Sequence, residues 1–192
     1  MASDILDKLD EIDRSSGPHS DLVLEAGQLM ESFAKGLDEI AILIERYGVS
    51  LTPSIANPLT FVLARKAERP TPRMAMLVLS FVDLFKCWDH PSTVMNSLTA
   101  VQHCLHYVDD SAGDALRHLS PFLRKCLDYD GRLWVIIKGH ALALLPIMRD
   151  RDLTNKIFTN EEFLELCEKV QQLRMTAGEE LRDELLDLEN FI

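Results

Sequence analysis

His103 and His106 stand three residues apart in HCLH, so on a helix both imidazoles share one face, with Asp109 and Asp110 about one turn further on. A metal site would need these groups to converge with a third ligand in a fixed geometry. The pair lacks the glutamate of an HExxH motif, and no second ligand motif accompanies it. It reads as two imidazoles on a helix surface or at a helix junction, and neither a metal nor any other cofactor is expected.

Cys87-Trp88-Asp89-His90 is the one place where thiol, carboxylate and imidazole crowd together. A nucleophilic cysteine needs a base within hydrogen-bond reach and donors for an oxyanion, which consecutive residues at a helix end seldom supply. A simpler reading explains all of them: Asp89 caps, Trp88 seals a corner, and Pro91 opens the next helix.

Lys138 and His140 interrupt the apolar run LWVIIKGHALALLPIM over residues 133–148. A membrane span needs about 20 predominantly apolar residues. Sixteen residues interrupted by Lys138, Gly139, His140 and Pro146 do not meet that requirement, and a central buried helix fits better. Its two polar groups must find partners, because an unpaired buried amine or imidazole is costly. Lys138 is expected to reach the surface along its alkyl stem, and His140 to bond a carbonyl or an acid. The alternative has both facing a groove between helices, where they hold an acidic or phosphate group together with Arg132. Gly139 between them would let another helix come close.

No phosphate-cradling glycine loop, GxSxG elbow, EF-hand loop or dinucleotide fingerprint occurs. A non-catalytic role is therefore expected.

The elements that position these residues are helical. Glycine is scarce, hairpin dipeptides of the Asn-Gly and Asp-Gly type are absent, and apolar residues recur at three- and four-residue spacing. A short stripe of Ile5, Leu6, Leu9 and Ile12 ends at RSSGPHS, so residues 1–19 form a loosely attached helix and linker. Ser20 then caps one long helix, with a stripe running Val23, Leu24, Met30, Phe33, Leu37, Ile40, Leu43, Ile44 and Tyr47 and a stop at Gly48.

Beyond it the breaks become regular. Thr52-Pro53, Thr71-Pro72 and His90-Pro91 place prolines where a first helical turn tolerates them, and Asp110-Ser111, Asp130-Gly131 and Asp150–Asp152 continue the series. Break positions 53, 72, 91, 111, 131 and 152 are spaced 19, 19, 20, 20 and 21 residues apart. Pro58 and Pro121 fall inside units, and each is expected to restart or kink its helix. A single all-α domain of seven to nine antiparallel helices over residues 1–192 follows, either a bundle or stacked helical hairpins. Two units together approach the roughly 40-residue repeat of HEAT and armadillo arrays, although no residue signature repeats.

In TNEE, Thr159 and Glu162 form a capping box that opens the last helix. Its apolar positions run from Phe163 to Leu188 at spacings of three or four. A single helix over 160–190 would be roughly 45 Å long unless Gly178 splits it. Its face at Leu181, Leu185 and Leu188 is the expected self-association surface, giving a homodimer.

Charge is unevenly placed. Residues 1–50 carry 4 basic and 11 acidic side chains, net −7; residues 51–159 carry 13 and 10, net +3; residues 160–192 carry 3 and 10, net −7. Arg65, Lys66, Arg69 and Arg73 form the tightest basic cluster, and Arg124, Lys125 and Arg132 a second. Nucleic acid is not the expected partner, because no basic domain with interleaved aromatics is present. The clusters suit an acidic or phosphorylated protein partner. Four scattered cysteines without a CxxC, and an acidic N-terminus without a basic leader, point to the cytoplasm and to reduced thiols.

The sequence thus leads to a non-catalytic adaptor or scaffold. Its partner surface would be Arg65, Lys66, Arg69 and Arg73, with Arg124, Arg132, Lys138 and His140 as a second set. The alternative is a carrier or sensor of a hydrophobic or anionic lipid, held between helices near Lys138, His140 or Arg132.

Overall fold

The computed structural model describes residues 2–15, 20–50, 52–82, 90–108, 112–186 and 188, and among them every regular element is a helix. In chain order these are α1 (Ala2–Arg14), α2 (Ser20–Phe33), α3 (Leu37–Tyr47), α4 (Pro53–Lys66), α5 (Pro72–Phe81) and α6 (Pro91–Leu105). There follow α7 (Gly113–Arg117), α8 (Leu119–Asp128), α9 (Trp134–Asp150), α10 (Thr154–Ile157), α11 (Asn160–Thr176) and α12 (Arg182–Leu186). The number exceeds the expected seven to nine because two breaks fall inside anticipated helices and because α7, α10 and α12 are single-turn pieces. Cys87, Trp88, Asp89, Asp109, Asp110 and Ser111 lie outside the described residues.

Proline sets three of the starts. Helices α4, α5 and α6 begin at Pro53, Pro72 and Pro91, where the missing N–H is one the first turn leaves unpaired anyway. At α5, Thr71 Oγ1 also accepts the Met74 N–H at 3.2 Å. Pro121 sits in the first turn of α8, so there the helix does restart, whereas Pro58 lies within an α4 that continues past it. The capping box of α11 is complete: Thr159 Oγ1 accepts the Glu162 N–H at 3.2 Å, and Glu162 Oε2 accepts the Thr159 N–H at 2.8 Å.

Two expected long helices are each broken. The helix anticipated from Ser20 to Gly48 divides at residues 34–36, where Gly36 adopts an extended φ of −145° and its N–H is bonded by Glu39 Oε2 at 2.9 Å. The helix anticipated over 160–190 ends at Thr176. A side chain at Gly178 would place its Cβ 2.5 Å from the Arg174 carbonyl oxygen, so only glycine allows this turn. Arg174 then donates to the Leu188 carbonyl at 3.1 Å and holds α12 folded back.

Residues 2–14, expected to attach loosely, are tied down. Leu9 and Ile12 are buried, Asp10 meets Arg46 and Tyr47 of α3, and Asp13 accepts from Thr52 Oγ1 at 2.6 Å.

Helix α2 packs on α4, α4 on α6, α6 on α9, and α9 on α12. A second series runs α3 on α5, α5 on α7 and α7 on α10, with α8 on α11. The bonds across these pairs keep a nearly fixed separation along the chain. Asn57–Asn96 and Ala64–His103, joining α4 to α6, are each 39 residues apart. Ser120–Glu162, joining α8 to α11, is 42 apart. A fixed difference in number means neighbours that run the same way, whereas antiparallel neighbours would show a fixed sum.

One apolar core extends from Leu9 to Leu188. Helix α9 lies within it, burying Ile137, Ala141, Leu142, Leu144, Leu145 and Met148. Among the described residues no helix is long and apolar enough to cross a membrane.

Candidate partner-binding surfaces

The α4–α5 turn collects the first basic cluster. Lys66, Arg69 and Arg73 are exposed there, and none has a carboxylate partner among the described residues. Arg65 differs from them. It is ion-paired to Glu31 of α2, and its guanidinium lies 5.9 Å from the centroid of the Phe61 ring. An exposed pair of this kind adds little stability, but it withdraws Arg65 from the free charge of the corner.

The second basic set is partly engaged within the chain. Arg124 pairs with Glu165 at 2.6 Å and approaches Glu162 at 3.9 Å, bridging α8 to α11. Arg132 is exposed in the turn before α9.

Lys138 and His140 are two residues apart on α9 and therefore point about 200° away from each other, so they do not share the expected groove. Lys138 borders a 210 Å³ depression with Asp130, Trp134 and Leu173, and its ammonium lies 5.2 Å from the Trp134 ring centroid. Burial, reinforced by the charge of Lys169, pulls its pKa below that of an ordinary lysine. His140 is exposed, and its Nδ1 donates to the Ile136 carbonyl at 2.9 Å. Gly139 does admit a neighbour: an added Cβ would come 2.8 Å from Glu184 Oε1 of α12.

The leucines expected to face a second copy are already buried in this one. Leu181 and Leu188 are 0% exposed and Leu185 6%, packed into the chain's own core once α12 folds back. The self-association surface expected there is thus taken up within the chain.

His103 Nδ1 donates to the Ala64 carbonyl at 3.4 Å, and His106 is exposed at the end of α6. Among the described residues no three His, Cys, Asp or Glu side chains converge as metal ligands would. Burial pushes the Cys104 thiol up to about 12 and raises Cys126 as well, which disfavours the thiolate.

One feature escaped the sequence reading. An apolar groove of about 330 Å³ runs between α2 and α4, walled by Val23 and Leu24 on one side and by Asn57, Pro58 and Phe61 on the other, with Gly27 at its floor. Leu24 is 64% exposed and Phe61 47%, so Leu24 lies outside the buried stripe assigned to it. The available signal was a mid-helix glycine beside three successive apolar residues, Leu22, Val23 and Leu24, an arc wider than one buried face needs.

The chain matches no protein-family model, no curated protein and no solved structure.

Proposed function

We propose that this chain is a non-catalytic helical scaffold of stacked hairpins, in the manner of HEAT and armadillo arrays, whose α4–α5 corner receives an acidic protein partner. The observation that carries the reading is the trio Lys66, Arg69 and Arg73, exposed and without carboxylate partners among the described residues, in a chain of net charge −11. Arg65, Arg124 and Lys169, by comparison, are ion-paired to carboxylates of the same chain. Three cations within eight residues, with no such pair among the described residues, concentrate a positive field at one corner. The stacking is supported by same-direction neighbours at nearly constant chain separation, which is the geometry of repeated helical hairpins.

Fluorescence anisotropy with a labelled glutamate-rich peptide tests the corner. Wild-type protein is expected to bind it in a salt-dependent way. The Lys66→Glu/Arg69→Glu/Arg73→Glu protein is expected to lose that binding while Arg132→Glu keeps it. Equal binding by wild type and triple variant would remove the corner from the proposal.

A further inference from the structure

We infer that the α2–α4 groove is a second docking site, separate from the basic corner, and that its occupant is a basic amphipathic helix of a protein partner. The first support is Gly27. Glycine in a helix interior destabilises it relative to alanine, so it is normally kept there for close packing. Here packing does not demand it: an added Cβ would meet Pro58 at 3.7 Å, an ordinary contact. What the missing side chain preserves is the depth of the groove between Leu24 and Phe61.

The second support is charge. The groove's own carboxylate, Glu31, is already paired with Arg65, whereas Asp21, three residues before Leu24 on α2, is exposed at the other end and has no cationic partner among the described residues. The first fifty residues, which include α2, carry net charge −7. Lysine or arginine flanking an apolar anchor would therefore be attracted at the open end, and a second copy of this acidic chain would be repelled.

The third support is shape. The lining on α2 runs from Val23 to Glu31. That is about 12 Å along the axis, which suits two turns of a partner helix placing i and i+4 side chains into the space between two helices.

The test uses the whole chain and a labelled synthetic helix of about fourteen residues. Leucines occupy i, i+4 and i+7 with lysines beside them, and a control peptide carries glutamate in place of every lysine. Anisotropy is expected to show the lysine peptide binding at least about tenfold tighter than the glutamate peptide, with affinity falling as salt rises. Gly27→Ala is expected to weaken binding by about fivefold or more while melting no lower than wild type, since alanine favours the helix it fills. Asp21→Asn is expected to weaken binding and flatten its salt dependence. The Lys66→Glu/Arg69→Glu/Arg73→Glu protein should bind the lysine peptide as wild type does, which separates this site from the corner. The inference is overturned by absence of saturable binding, by equal affinity for both peptides, by a Gly27→Ala protein that binds normally, or by a groove already closed in a dimer.

Discussion

The phenolic oxygen of Tyr47 on α3 lies 2.6 Å from Asp10 Oδ1 on α1, to which it donates, and 3.1 Å from the Leu6 carbonyl oxygen. The ring is 2% exposed, and Arg46 grips the same carboxylate from outside. Three polar groups thus fasten the first helix to the third. Phenylalanine at position 47 would keep the packing but strip Asp10 of a buried donor. Tyr47→Phe is expected to lower stability by about 1 kcal/mol, read from urea unfolding curves at neutral pH.

Acid should weaken the same junction. Hydrogen bonds from Arg46 and Tyr47 hold the Asp10 carboxyl below its ordinary range, and the Thr159 backbone N–H does the same for Glu162. A carboxyl whose pKa is depressed by folding contributes its stability above the unfolded value, about 4, and loses it as pH falls through the folded value. Unfolding free energy is therefore expected to be flat between about pH 5 and about pH 8 and to fall below that window. In Asp10→Asn the acid limb should be shallower than in wild type; an identical slope would mean that Asp10 is not one of the groups responsible.

At the start of α11, Thr159→Ala removes the acceptor for the Glu162 N–H. A loss of about 1 kcal/mol is expected. Hydrogen exchange should locate it in the first turn of α11, ahead of the helix interior.

Leu181→Ala tests the fate of the C-terminal leucines. Because Leu181 is 0% exposed within a single chain, truncation should cost about 2–5 kcal/mol and leave the sedimenting mass unchanged. A variant that kept its stability but changed its subunit number would return these leucines to an interface between copies.

Reversing the basic corner should spare the fold. Lys66, Arg69 and Arg73 are exposed and unpaired among the described residues, so their glutamate variants are expected to stay within about 0.5 kcal/mol of wild type in thermal unfolding. Arg65→Glu, by contrast, would set a second carboxylate against Glu31 and should destabilise measurably.

Helix starts were legible wherever a local device wrote them. The prolines at 53, 72 and 91 and the Thr159–Glu162 box act within one turn, and each marks an observed start. The break at Lys35-Gly36 was not legible, because Phe33, Leu37 and Ile40 keep helical spacing straight across it, and periodicity alone does not register a change of axis. The same illusion carried Leu181, Leu185 and Leu188 onto one long helix, where Gly178 was the only warning. For the surfaces, Lys66, Arg69 and Arg73 sit at the end of α4, in the connection and in the first turn of α5, where exposure is the rule. The pairing of Arg65 with a glutamate 34 residues earlier depends on how helices stack, and no local pattern encodes that. The separation of Lys138 from His140 was within reach, since two residues is half a helical turn.

Among the described residues, and apart from the short reach of Arg174 to α12, the bonds between helices span from 34 residues for Glu31–Arg65 to 45 for His106–Arg151, which has a mechanical consequence. In the proposed stacking, each such bond ties a helix to its counterpart one hairpin further along the chain. Tension applied at the two termini therefore loads the end hairpins first and reaches the middle only after they have come away. Drawn out between optical tweezers, the molecule should lengthen in several small steps, peeling inward, where a protein of interleaved topology would give way in one.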